Sequence, residues 1–95
     1  MRYGYRVEMP GVTQEQYDGL HAHIASVAGD MPGLLVHIAG PTEGGWYVTE
    51  VWASKSEFDQ FMARMAPMLS SPNAPPMNIQ EFTVYNCETT AQPPA

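Results

Sequence analysis

Leu34–Trp52 reads LLVHIAGPTEGGWYVTEVW, and the fold turns on how this stretch pairs. Leu34–Ala39 is a run of strand-forming apolar residues with one imidazole, His37, in its middle. Gly40–Gly45, GPTEGG, is turn chemistry throughout. Trp46–Trp52 is rich in aromatic and β-branched residues, so the two runs read as an antiparallel hairpin. Opposed residues on neighbouring antiparallel strands share a face. In one register His37 lies with Tyr47, Thr49 and Val51; slipped by one residue, it lies with Trp46, Val48, Glu50 and Trp52. The turn sequence leaves both registers open.

Outward from the hairpin, Tyr3–Met9 alternates Tyr3, Tyr5, Val7 and Met9 with Gly4, Arg6 and Glu8, the period of a strand. Pro10-Gly11 breaks it. Thr13 to Gln16, TQEQ, fits a capping box. Tyr17, Leu20, Ile24 and Val27 then form one stripe, which predicts a helix over 13–28. A second capping box, SKSE at Ser54–Glu57, opens the stripe Phe58, Phe61, Met62, Met65, Met68 and Leu69. Pro67 lacks a backbone donor and is expected to kink or end that helix near Ala66. Ser70–Asn78, SSPNAPPMN, reads as loop, Ile79–Asn86 as a fourth strand, and 88–95 as a mobile tail. The order β-α-β-β-α-β over residues 1–87 is the ferredoxin-like α+β arrangement, a four-stranded antiparallel sheet with both helices on one face.

Two helices cover only one face. Leu34, Val36 and Ile38 fall on one side of the second strand, and Leu35 and Ala39 flank His37 on the other. Sheets open to water normally alternate apolar with polar, so the second face needs a cover, and a second copy of the sheet is the simplest one. A 95-residue chain also gains by assembling, because a domain this small buries only roughly 60–65% of its unfolded surface. The net charge of −6, with only Arg2, Arg6, Lys55 and Arg64 as cations, disfavours nucleic acid. Cys87 is the single cysteine, so no CxxC motif and no internal disulfide exist. MRYGYRVEMP lacks the apolar core of a secretory signal, and no stretch reaches the ~18 apolar residues of a membrane span. The expectation is a cytoplasmic protein with neither membrane nor nucleic-acid partner.

Gly33–Met62 also resembles the dimeric α/β-barrel proteins, in particular the antibiotic-biosynthesis-monooxygenase-like group. The likeness lies in a Pro-Gly entering the second strand, a glycine-rich hairpin, a strand ending Val-Trp, and Ser-x-x-Glu-Phe opening the second helix. The resemblance implies a homodimer whose sheets close into a barrel, with a ligand cavity between sheet and helices in each subunit. It implies one of several activities: cofactor-free oxygenation of polycyclic aromatics, haem chemistry, isomerisation or cyclisation of small rings, or none. Haem-degrading relatives use a histidine and a tryptophan on the second helix and an asparagine on the first strand. Here Phe61 stands in place of that tryptophan, no histidine occurs between Lys55 and Asn78, and Tyr3–Met9 has no asparagine. The expectation is therefore no cofactor.

Among single residues, His21 and His23 diverge by about 200° around a helix and cannot share a metal ion; they read as boundary histidines, and no metal site is expected. His37 can act as a general base, and Arg6 can hold the resulting phenolate or carboxylate. Glu50, mid-strand between two tryptophans, requires a partner, which either His37 or Arg6 can supply. Trp52, Phe61, Met62 and Met65 are core residues that can also line a pocket, and Tyr17 can present its hydroxyl to it. The first reading is a small monooxygenase-like enzyme with His37 and Arg6 in the chemistry. A cyclase or isomerase, or a ligand-binding protein without catalysis, are the alternatives.

Overall fold

In the computed structural model, which describes residues 1–88, the element order is β1 (Arg2–Pro10), α1 (Gln14–Ala28), β2 (Leu34–Thr42), β3 (Gly45–Trp52), α2 (Lys55–Leu69) and β4 (Asn78–Val84). The four strands form one antiparallel sheet in the order β2-β3-β1-β4. This is the ferredoxin-like fold. The tail expected over 88–95 lies, beyond Glu88, outside the described residues. No helix among the described residues is long and apolar enough to cross a membrane.

Local chemistry explains the boundaries. Thr13 Oγ1 accepts from Gln16 N at 3.2 Å while the Gln16 side chain accepts from Thr13 N at 2.9 Å, so the first capping box forms completely. At α2 the Ser54 hydroxyl oxygen accepts from Glu57 N, at 3.2 Å. Pro67 does not end α2. It sits in the last turn, where its missing donor costs one bond, and Ser70 closes the end through its N–H to Ala66 O at 3.0 Å and its hydroxyl at 2.8 Å. The stripe of α1 runs on to buried Ala28, while Val27 faces solvent.

The hairpin turn is tighter than the sequence suggests. Glu43-Gly44 alone make the loop, with Gly44 at a φ of 80°. Pro41 is accommodated in β2 because β2 is an edge strand. Register pairs His37 with Glu50 and Ala39 with Val48, and β1 adds Tyr5 opposite Glu50. A bulge changes the expected faces of β2: Leu34 pairs with Trp52 but Val36 with Val51, leaving Leu35 as the extra residue. Leu34 is therefore on the side of His37, and only Val36 and Ile38 stay on the opposite side.

The core lies between the sheet and the helices. Tyr3, Tyr5, Val7 and Met9 of β1, Val48 and Trp52 of β3, and Phe58, Phe61 and Met65 of α2 are all buried. Phe58 is the hub, its ring 4.7 Å from Tyr3, 4.8 Å from Tyr5 and 5.9 Å from Trp52.

Candidate functional site

The helix-facing side of β2 and β3 leads directly to a polar cluster inside this core. Glu50 is only 4% exposed, and a buried carboxylate must be compensated by hydrogen bonds. Trp52 Nε1–H donates to Glu50 Oε1 at 3.0 Å. The other oxygen, Oε2, lies 2.6 Å from His37 Nδ1. A carboxylate only accepts, so Nδ1 carries a hydrogen, and whenever the ring is neutral Nε2 is its acceptor. Tyr17 Oη stands 2.8 Å from that Nε2 and, with the ring neutral, donates to it. The chain Trp52–Glu50–His37–Tyr17 thus begins in the dry core and ends at a cavity wall.

Its electrostatics hold the phenols neutral. Burial above all, then the Glu50 carboxylate and Asp18, push the Tyr17 hydroxyl above the ordinary tyrosine range. Burial, followed by the charge and hydrogen bonding of Glu50, does the same to Tyr5. Both rings remain proton donors around one carboxylate.

The cavity is about 260 Å³ in volume, between the sheet and both helices. His37, Glu50, Tyr5, Tyr17 and His21 are its polar groups, and most of the remaining wall is apolar. Six of the seven methionines line it, all but Met1; flexible thioethers adapt well to a flat ring.

Of the side chains singled out in the sequence, His37, Tyr17, Glu50, Phe61, Met62 and Met65 all face this cavity. Trp52 is fully buried behind the lining, 5.1 Å from Phe61, and reaches the site only through Glu50. Arg6 is not brought to it. Arg6 pairs with Thr49, one residue out of step with Tyr5 and Glu50, and so projects from the opposite face of the sheet. There its guanidinium lies 4.5 Å from the Tyr47 ring centre and donates to Thr49 Oγ1 at 3.3 Å and Glu8 at 3.4 Å. Of the two partners open to Glu50, His37 is the one it has.

Two polar residues join the site that the sequence reading left out. Tyr5 follows from the alternation of β1 once Glu50 is known to face inward. His21 is one turn from Tyr17, stacked on it at 5.6 Å, with its ring centre 5.4 Å from that of His37. The i,i+4 spacing of Tyr17 and His21 was the available signal.

No family model and no curated protein matches the chain. Solved structures do. A point variant of SnoaB, a cofactor-independent oxygenase from Streptomyces nogalater, superposes with a TM-score of 0.65 at 12% identity, over 90% of this chain and 94% of that one. An antibiotic biosynthesis monooxygenase, so assigned, from Chloroflexus aurantiacus gives 0.65 at 21% identity, over 94% and 98%. A haem-degrading protein from Mycobacterium tuberculosis, in a haem-free form, gives 0.62 at 17% identity, over 94% and 98%. At these identities the likeness is one of fold, and the chain has the ferredoxin-like fold of the antibiotic-biosynthesis-monooxygenase-like proteins.

Proposed function

We propose that the cavity binds a hydrophobic, aromatic small molecule and that His37 takes a proton from it. The observation that carries this reading is the clamping of His37 between buried Glu50 and the cavity-facing Tyr17. A phenol or enol of the ligand that reaches Nε2 in place of Tyr17 loses its proton to the ring. Glu50 stabilises the imidazolium, as the carboxylate of a triad does. Tyr17, kept protonated, then donates to the ligand's new oxyanion.

The anion so formed is electron-rich and can react with dioxygen, which is the oxidant and supplies the oxygen atom. For an anthrone the balance is a ring CH2 plus O2 giving a ring C=O plus water. The shared fold with a cofactor-independent oxygenase supports this reading. The pairing of a base with a neutral phenol donor equally suits an isomerase or cyclase that moves a proton without oxygen. Turnover of anthrone, followed in air and anaerobically, decides between them. Oxygen-dependent formation of the quinone that falls at least about a hundredfold in His37→Gln supports the first; turnover that His37→Gln leaves unchanged overturns His37 as the base.

Haem does not fit these residues well. Of the residues that line the cavity, those from α2 are aromatic, aliphatic and thioether side chains, with no imidazole among them. The reaction proposed uses no cofactor.

The partner proposed for the outer sheet face is a second copy of the chain. Ile38 is 50% and Phe82 41% exposed there, beside Val36 and Val51. The Phe82 ring lies over Gly4, where any side chain would collide with it, so the face is kept flat. Sedimentation of wild type as a dimer and of Ile38→Glu as a monomer is the expected result; a monomeric wild type overturns it.

A further inference from the structure

A second cavity, of about 290 Å³, adjoins the first beyond the C-terminal end of α2. The two share Leu20, Met68, Leu69 and Met77 as common wall, so they are neighbouring chambers that meet along flexible side chains. Their chemistry differs. In the inner chamber the acceptor and donor groups are gathered around His37, and the remainder is apolar. The outer chamber adds His23 of α1 with Ser71 and Asn73 of the loop that follows α2, and no carboxylate lines it.

That loop is a built structure. Ser71 N–H donates to Met68 O at 3.2 Å and Ala74 N–H to Ser71 O at 3.0 Å. Asn73 N–H donates to Ser71 Oγ at 3.2 Å, which leaves the Ser71 hydroxyl hydrogen for another acceptor. An imidazole, a hydroxyl and a carboxamide without an opposing acid suit a ligand group that accepts hydrogen bonds, above all an anionic one.

We infer that the ligand has two parts: a rigid aromatic body held in the inner chamber against His37, and a short flexible tail ending in a carboxylate or carbonyl held by His23, Ser71 and Asn73. The inference rests on the reading of the inner cavity as the ligand site, and names the class of molecule it takes. It also gives His23 a role separate from that of His21. The two histidines point to different sides of α1, and each side meets its own chamber.

The test is equilibrium binding, by calorimetry, of 2-naphthol, butyl 2-naphthyl ether and 4-(2-naphthyloxy)butanoate to the full chain. The butanoate should bind at least about tenfold more tightly than 2-naphthol, the gain expected of hydrogen bonds to a charged group, and the uncharged ether should gain less. The double variant His23→Ala with Asn73→Ala should erase the butanoate's advantage while leaving 2-naphthol affinity unchanged, which also certifies its fold. Equal affinity for all three probes, or an advantage that the double variant preserves, overturns the outer chamber as a tail site and leaves the inner one standing. Absence of binding by all three overturns the inner cavity as an aromatic site, and the two-part ligand with it.

Discussion

The two faces of the sheet carry similar polar groups and hold them in opposite ways. On the helix-covered face Glu50, His37, Tyr17, Tyr5 and Trp52 form a compact network around one buried carboxylate, with contacts of 2.6–3.0 Å. On the open face Arg6, Glu8, Thr49 and Tyr47 also cluster, but at 3.3–3.4 Å, with more than a third of the Arg6 and Glu8 side chains in solvent. The same alternation of the strands made both. Burial separates them at Glu50 and Trp52: removing one of these strands a buried partner, whereas water replaces whatever is lost outside.

The largest effect should therefore follow from Glu50. Glu50→Ala leaves the buried Trp52 N–H unpaired and takes from His37 its carboxylate partner, and the expected loss of stability is about 1–3 kcal/mol, read from urea unfolding. Glu50→Gln keeps the size and one acceptor. It should fold with a smaller deficit, while its amide can no longer bind both donors, so proton transfer at His37 should still drop. A Glu50→Ala variant as stable as wild type would mean that the two faces do not differ in the way burial requires.

Alkaline pH probes the same network without mutation. Tyr5 is held above the ordinary tyrosine range by burial and by Glu50. In the unfolded chain it releases its proton near pH ~10, while in the folded chain it keeps it. Stability contributed by the neutral ring is complete below pH ~10 and is lost as pH rises beyond that value. The expected loss is about 1.4 kcal/mol between pH 9 and 11 for this one residue. Tyr5→Phe should lessen that dependence by this one residue's share, with Tyr3 and Tyr17 keeping theirs, measured as the urea midpoint at each pH. If the slope is the same in the variant, Tyr5 is not the group responsible.

Much of the fold was legible because it rests on local signals: the capping residues Thr13 and Ser54, the stripe of α2 and the alternation of β1 each occur where the structure uses them. The site was legible in its members but less so in its geometry. His37 and Glu50 could be named as a pair, yet it is the two-residue turn at Glu43-Gly44 that sets them opposite each other, and GPTEGG does not single that turn out. Pro41 looked like turn and is strand, since an edge position hides its missing donor. Arg6 shows the limit most clearly. Its chemistry suited an anion site, but one step along β1 reverses the direction of a side chain.

That reversal supplies the smallest effect and the sharpest check on the comparison. Arg6→Met removes the guanidinium from the open face and keeps an apolar stem over Tyr47. Within one subunit the change should cost no more than about 1 kcal/mol, because the ion pair with Glu8 and the contact with Tyr47 are both open to solvent. It should leave proton abstraction by His37 within about twofold of wild type, since the sheet separates the two side chains. The proposed dimer places Arg6 inside the contact between copies, so the sedimentation equilibrium is the quantity that should respond. Loss of turnover with the dimer intact would show that Arg6 acts on the ligand across the sheet, and the division between a chemical face and an assembly face would fail.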